Sequence, residues 1–125
     1  GAGYPLLVAE WEGRVVGYAS FGDFRPFQGY RHTVENSVYV APDAHRRGVG
    51  RVLMEALIHR ARAMGKHVMV AGIEAENLAS IRLHAAAGFV EVGRLPQVGR
   101  KFGRWLDLVF MQRALDDGEA SPPIA

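Results

Sequence analysis

The residues whose types and spacing could do chemistry lie together in residues 33–50. This segment places an isolated acid, Glu35, in a strand-like apolar run and ends in the basic loop Arg46-Arg47-Gly48-Val49-Gly50. The loop leads directly into an amphipathic helical pattern, and backbone N–H groups at a helix start, beside arginines, favour an anionic group such as a phosphate. A carboxylate one strand upstream could accept a proton. Together they indicate a transfer enzyme that uses a phosphorylated cofactor.

Both features also have plain structural explanations. The loop lacks the Gly-Lys-Ser/Thr of a Walker loop and the G-x-G-x-x-G of dinucleotide-binding folds, so alone it could be a helix start with glycines for a tight turn. Glu35 alone could be a solvated carboxylate on an alternating strand, where most acids lie. His84 falls in a helical pattern, and a lone helical histidine is usually structural.

Composition narrows the class of protein. The 125 residues are 49% hydrophobic and 22% charged with a net charge of +2, which is typical of one soluble globular domain. The basic residues do not cluster around a reading helix, so we expect no nucleic-acid partner. The chain has no cysteine, which excludes disulfides and a thiol nucleophile, and its histidines lack metal-binding spacing. That spacing gives no reason to expect a bound metal. No stretch predicts a membrane span or a signal peptide, so we expect a cytoplasmic protein without a membrane partner.

Hydrophobic periodicity predicts the order strand-strand-strand-helix-strand-helix-strand-strand, an α/β domain with a mixed sheet. The predicted strands are residues 6–11, 14–21, 33–40, 67–73, 89–95 and 104–114. Helices are predicted at residues 50–64 and 77–87, with Asn77 as the N-terminal cap, and loops at 23–31 and 96–103. Residues 1–115 would form the single domain. Residues 116–125 would be a disordered tail, because they contain Pro122-Pro123 and few apolar side chains.

The loop at residues 23–31 carries an unusual set of side chains. It contains three aromatic residues, Phe24, Phe27 and Tyr30, together with two arginines, Arg25 and Arg31. An arginine fork is suited to a substrate carboxylate, and the rings could wall its side chain. The alternatives are solvated loop charges and aromatic residues that plug the core.

Two motifs resemble the GCN5-related N-acetyltransferase (GNAT) superfamily. The segment His45-Arg46-Arg47-Gly48-Val49-Gly50 resembles its acyl-CoA-binding pattern Gln/Arg-x-x-Gly-x-Gly/Ala, with His45 as a departure at the first position. Residues 83–89 resemble its Leu-Tyr-x-x-x-Gly-Phe, with His84 in the tyrosine position. Residues 24–40, 71–84 and 96–112 resemble the phosphinothricin and methionine sulfoximine N-acetyltransferases within it.

The resemblance implies a fold and an activity. The fold would be a mixed, mostly antiparallel twisted sheet flanked by helices, here lacking the family's first strand and first two helices, so that the domain would be N-terminally incomplete. The activity would be direct transfer of an acetyl group from acetyl-CoA to the α-amine of a small amino acid such as methionine sulfoximine, methionine sulfone or phosphinothricin. The partners would be that substrate and a second copy in a homodimer.

The resemblance also implies roles for individual residues. Glu35 would be the general base, and His84 would protonate the leaving thiolate or pack near it. Acetyl-CoA would be bound by Val38, Tyr39, Val40, Arg46, Arg47, Gly48, Val49, Gly50, Arg51, Asn77 and Ser80. The acceptor would be bound by Arg25, Phe27, Tyr30, Arg31, Asn36 and Ser37. Lys101, Phe102 and Trp105 would face the partner subunit.

Two other functions stay open from the sequence. The acceptor could be a peptide N-terminus or a polyamine instead of a small amino acid. The chain could also be a non-catalytic acyl-CoA-binding fragment, which would bind the cofactor without turnover.

Overall fold

The computed structural model of the chain describes residues 3–45 and 47–116. These residues form six strands and two α-helices, in the predicted order. The elements are β1 (Leu6–Trp11), β2 (Arg14–Asp23), β3 (Thr33–Val40), α1 (Val49–Ala63), β4 (Val68–Glu74), α2 (Leu78–Ala86), β5 (Val90–Lys101) and β6 (Arg104–Ala114). Short 3-10 turns, Gln28–Tyr30 and Pro42–Ala44, lie on either side of β3. The predicted tail falls outside the described residues from position 117 onward.

The strands form one mixed sheet in the order β1-β2-β3-β4-β6-β5. Every neighbouring pair is antiparallel except β3 and β4, which are parallel and joined through α1. This confirms the predicted mixed, mostly antiparallel α/β class. The parallel pair matters for the site, because it requires a crossover connection, and the glycine-containing loop that starts this crossover follows directly after β3.

Both helices pack on one face of the sheet, and the core lies between them and the strands. Strand residues alternate between faces, so the odd-numbered residues of β4 and the even-numbered residues of β3 point to the helices. The core includes Phe21, Val34, Met54, Leu57, Met69, Ile73, Val109 and Met111, all nearly inaccessible to solvent. Among the described residues, neither helix is long and apolar enough to cross a membrane.

Gly17 and Gly50 allow close approach at this end of the core. A Cβ at Gly17 would lie 2.8 Å from the Tyr39 carbonyl oxygen, and one at Gly50 would lie 3.1 Å from Leu83. No side chain fits at position 17 without a shift of the backbone. The two glycines therefore let β2 and the start of α1 pack tightly beside the end of β3.

The predicted loop at residues 96–103 is wrong, because β5 continues to Lys101. Pro96 and Gln97 lie in an irregular stretch between Leu95 and Gly99, where the register with β6 shifts. The Asp107 carboxylate accepts a hydrogen bond from the Gln97 N–H, which stabilises the left-handed backbone there (φ 56°). The turn-forming residues Pro96 and Gln97 therefore form a bulge within β5. A proline is tolerated there because β5 is an edge strand.

Candidate active site

The site begins where β3 and β4 separate. The two strands pair over only three positions, Thr33 with Val68, Val34 with Met69, and Glu35 with Val70. Beyond Glu35, β3 stays paired with β2 as far as Val40, while β4 stays paired with β6. A cavity of about 220 Å³ occupies this opening. It is lined by Tyr18, Asn36, Ser37, Val38, Gly72, Ile73, Glu74, Asn77, Ser80 and His84.

The start of α1 forms a backbone cradle near the end of β3. Gly48 precedes the helix with a left-handed backbone (φ 77°), and a Cβ there would meet nothing within 4 Å. No described side chain caps the first helical turn, and no acid lies in it. The N–H groups of the first turn, including those of Val49, Gly50 and Arg51, have no partners within the helix and suit an anion.

One arginine of the predicted loop, Arg47, and one of α1, Arg51, flank this cradle. Arg47 is exposed and rests over the Trp11 ring, 5.3 Å from its centroid. Arg51, in the first turn of α1, is also exposed, with the Glu55 carboxylate 4.0 Å away. Arg46 is not described.

His45 takes the position where the family motif has glutamine or arginine. Its Nε2 lies 3.0 Å from the carbonyl oxygen of Val40, and because a carbonyl only accepts, Nε2 donates. This bond ties the loop to the end of β3. The departure from the motif therefore has a structural use that does not require contact with a ligand.

Glu35 lies at the vertex of the opening, on the sheet face away from the helices. It is half-buried, and a Cβ added to Gly72 would lie 3.3 Å from its Oε2 and 3.4 Å from the Phe110 ring. Burial raises the pKa of the Glu35 carboxyl above its usual range. A carboxylate with a raised pKa is a stronger base, which is the property that general-base catalysis uses. Among the described residues, no group of three or more side chains could hold a metal ion.

Asn36 of β3 and His84 of α2 contact each other on the sheet face that packs against the helices. Both are buried, with 8% and 2% of their surface exposed. The Asn36 Nδ2 lies 3.1 Å from His84 Nε2, and His84 Nδ1 lies 2.8 Å from the carbonyl oxygen of Ser80. Burial lowers the pKa of the His84 imidazole. The side chain of Asn36 therefore points away from the face that carries Glu35 and Ser37, although it still lines the cavity.

Asn77 and Ser80 border the cavity from the start of α2. The Asn77 Oδ1 accepts a hydrogen bond from the backbone N–H of Ser80 at 3.2 Å, which confirms Asn77 as the helix cap. The Ser80 hydroxyl lies 3.4 Å from His84 Nδ1. Both residues line the cavity, and their role in cofactor binding stays a prediction.

The four predicted acceptor residues of the 23–31 loop lie together but do not line this cavity. The Arg25 guanidinium lies 5.7 Å from the centroid of the Phe27 ring and 5.4 Å from that of Tyr30. The two rings are 59% and 47% exposed, so they are not core plugs. Arg31 donates to the carbonyl oxygen of Gln28 at 2.9 Å. The loop closes just before β3, where the Phe24 N–H donates to the Thr33 carbonyl.

Four residues that line the cavity are not among those predicted from the sequence. Tyr18 stacks on Tyr39 with ring centroids 5.5 Å apart, and Gly72, Ile73 and Glu74 form the β4 side. A glycine inside a buried strand often marks a close approach, so Gly72 carried a usable signal. The sequence around Tyr18 carried no such signal, because its position opposite Tyr39 depends on the register between β2 and β3.

Comparisons with known proteins agree with this architecture. The Acetyltransferase (GNAT) family matches residues 2–89. The L-amino acid N-acyltransferase MnaT of Escherichia coli is 63% identical over 93% of this chain and 67% of its own length. The L-methionine sulfoximine/L-methionine sulfone acetyltransferase of Salmonella typhimurium is 61% identical over 94% of this chain and 69% of its own. The chain thus spans about two thirds of these relatives.

A solved structure gives the same result. The phosphinothricin acetyltransferase of Sinorhizobium meliloti, in complex with acetyl-CoA, superposes with a TM-score of 0.90 at 44% identity, over 98% of this chain and 66% of that one. The fold, the opening between β3 and β4 and these similarities define an acetyltransferase class of protein. The chain belongs to the GNAT acetyltransferase family.

The burial of Glu35 predicts a gain in stability when its charge is removed. A folded-state pKa above the unfolded value contributes stability below the ordinary pKa of 4.5, and this is lost as the pH rises through the raised value. At neutral pH the charged Glu35 therefore destabilises the fold. Glu35→Gln should raise the free energy of unfolding in urea at pH 7, and the gain should shrink at pH 4.

An exposed strand carboxylate supplies the control. Glu10→Gln on β1 should change the free energy of unfolding by less than about 0.5 kcal/mol at either pH. A Glu35→Gln variant that is less stable than the parent at pH 7 would contradict the assignment of Glu35 as a desolvated carboxylate.

Proposed function

We propose that the chain transfers the acetyl group of acetyl-CoA to the α-amine of a small amino acid such as methionine sulfoximine, methionine sulfone or phosphinothricin. The observation that carries the proposal is the opening between β3 and β4, which has Glu35 at its vertex and the glycine turn of α1 near its mouth. The names of relatives 61–63% identical to the chain support an amino acid as the acceptor.

Backbone groups would provide most of the cofactor binding. The N–H groups of residues 48–51 would hold the pyrophosphate, with the charge of Arg47 and Arg51 beside them. The Arg47 N–H itself donates to the Ala44 carbonyl oxygen. The β4-facing edge of residues 36–40, including Val38, Tyr39 and Val40, would pair with the amide-bearing arm as with an added strand. Asn77 and Ser80 would border that arm from the start of α2.

Glu35 would then prepare the acceptor. An α-ammonium group is mostly protonated at neutral pH and cannot attack a thioester until it loses a proton. Glu35 would take that proton directly or through a water molecule, so that the new N–C bond forms as the C–S bond breaks. A free N–H of the open β3 edge, near Val38, would stabilise the charge on the thioester oxygen. Because the chain has no cysteine, transfer would be direct.

The loop before β3 would recognise the acceptor. Arg25, held against the Phe27 and Tyr30 rings, would bind the carboxylate with its planar fork. Arg31 and Ser37 would contribute further polar contacts, and a second copy of the chain would complete a homodimer. The exposed Phe102 and Trp105 side chains, 89% and 57% accessible, are consistent with such a contact.

An acceptor panel tests the proposal. The chain is mixed with acetyl-CoA and methionine sulfoximine, phosphinothricin, a peptide with a free N-terminus or spermidine, and free thiol and acceptor mass are followed. Acetylation of the two amino acids alone is expected. Glu35→Gln should lower kcat by about 10²- to 10⁴-fold with acetyl-CoA affinity unchanged, the usual scale of general-base catalysis.

Other outcomes of the panel separate the rivals. Acetylation of the peptide or of spermidine in place of the amino acids would overturn the proposed acceptor. Binding of acetyl-CoA without turnover on any acceptor would identify the chain as a non-catalytic acyl-CoA-binding protein. An unchanged kcat in Glu35→Gln would remove Glu35 as the base.

The cofactor cradle has its own prediction. Gly48→Ala should weaken acetyl-CoA binding at least tenfold in calorimetry, because the added Cβ strains the turn that aims the N–H groups. Gly65 is a matched control: it lies just past the other end of α1, with the same left-handed backbone (φ 75°) and nothing within 4 Å of its Cβ position. Gly65→Ala should lower stability comparably and leave binding unchanged. Equal binding by both variants would contradict the cradle.

A further inference from the structure

We infer that His84 is a positioning residue that accepts a hydrogen bond from Asn36 and so fixes the opening between β3 and β4, and that it is not the proton donor to the leaving thiolate. The hydrogen-bond arrangement of His84 stands on the structure alone. Its consequence for catalysis rests on the proposed acetyl transfer.

The partners of the two ring nitrogens fix the tautomer. Nδ1 lies 2.8 Å from the backbone carbonyl oxygen of Ser80, which can only accept, so Nδ1 carries the proton. In a neutral imidazole Nε2 then has a lone pair and no hydrogen. The Asn36 Nδ2 lies 3.1 Å from Nε2, nearer than the Oδ1 at 3.4 Å, as expected for an amide that donates.

The surroundings favour the neutral ring. His84 is 2% exposed, its ring meets Phe89 edge-on at 4.9 Å, and burial lowers its pKa. A second proton on Nε2 would face the Asn36 amide hydrogens in an apolar setting, close to the Met69 sulfur, which lies 3.6 Å from Nδ2. The proton on Nδ1 is already donated in the hydrogen bond to the Ser80 carbonyl oxygen. Neither nitrogen is therefore arranged to give a proton to a thiolate.

The position of Asn36 gives this bond its use. Asn36 is the first residue of β3 beyond the last pair with β4, Glu35 with Val70. Its side chain reaches α2 instead, so the Asn36–His84 bond ties β3 to α2 across the opening. Because both groups are buried, loss of either partner leaves the other unsatisfied, which costs more than the bond itself contributes. The pair thus fixes where the open edge of β3 lies.

Ring-nitrogen NMR tests the tautomer without any need for activity. The chain is labelled with ¹⁵N-histidine, and His84 is assigned by comparison with His84→Gln. At neutral pH, His84 should show a protonated Nδ1 and an unprotonated Nε2. A protonated Nε2, in either the other tautomer or the imidazolium, would overturn the inference whether or not the chain turns over.

Kinetics test the consequence with a conservative variant. His84→Gln retains a side-chain oxygen that can accept from Asn36 but cannot act as a proton donor of histidine type, whereas His84→Phe retains neither. His84→Phe should raise the KM for acetyl-CoA, and His84→Gln should keep it close to that of the parent. In both variants kcat should change less than KM. Asn36→Leu should resemble His84→Phe, and the double variant should be no worse than either alone.

The opposite pattern would identify a general acid. Equal losses of about 10²- to 10⁴-fold in kcat for His84→Gln and His84→Phe, with Asn36→Leu unaffected, would overturn the positioning role. If no acceptor is turned over, the proposed function fails while the NMR result still decides the tautomer, so the two failures are distinguishable.

Discussion

The end of the parallel pairing between β3 and β4 is the constraint on which the site depends. Backbone groups in a sheet need hydrogen-bond partners, and beyond Glu35 the β4-facing edge of β3 has none in β4. An open edge inside a sheet can bind an extended ligand that carries amide groups. The crossover from β3 to β4 begins with the glycine turn that leads into α1, so the same strand end has both a strand-like edge and an anion cradle.

The two faces of β3 divide the chemistry. Glu35 faces away from the helices, while its neighbour Asn36 faces the core and bonds to His84. Burial moves the pKa values of Glu35 and His84 in opposite directions, and in both cases it favours the neutral form. For Glu35, in the last pair of β3 with β4, this yields a stronger base. For His84, on the buried face of α2, it yields a fixed hydrogen-bond acceptor, so the same physical cause leads to different uses.

Local signals predicted much of the fold. Apolar runs gave the bounds of β1, β3 and β6, and Asn77 identified the start of α2 because a cap is a local interaction. The end of β5 was missed because its bulge depends on Asp107 of the neighbouring strand, which no local pattern reveals. The site was only partly predictable for the same reason: alternation separates Asn36 from Ser37, but which of them is buried, and that Tyr18 lies beside Tyr39, depends on packing and register.

Amide hydrogen exchange with and without acetyl-CoA tests the central claim most directly. If the open edge of β3 binds the cofactor, saturating acetyl-CoA should slow exchange at those amides of residues 36–40 that point away from β2, and at the first turn of α1. Amides that already pair within the sheet, such as those of β6, should change little. Binding of acetyl-CoA, shown by calorimetry on the same sample, with no protection in residues 36–40 would contradict the account.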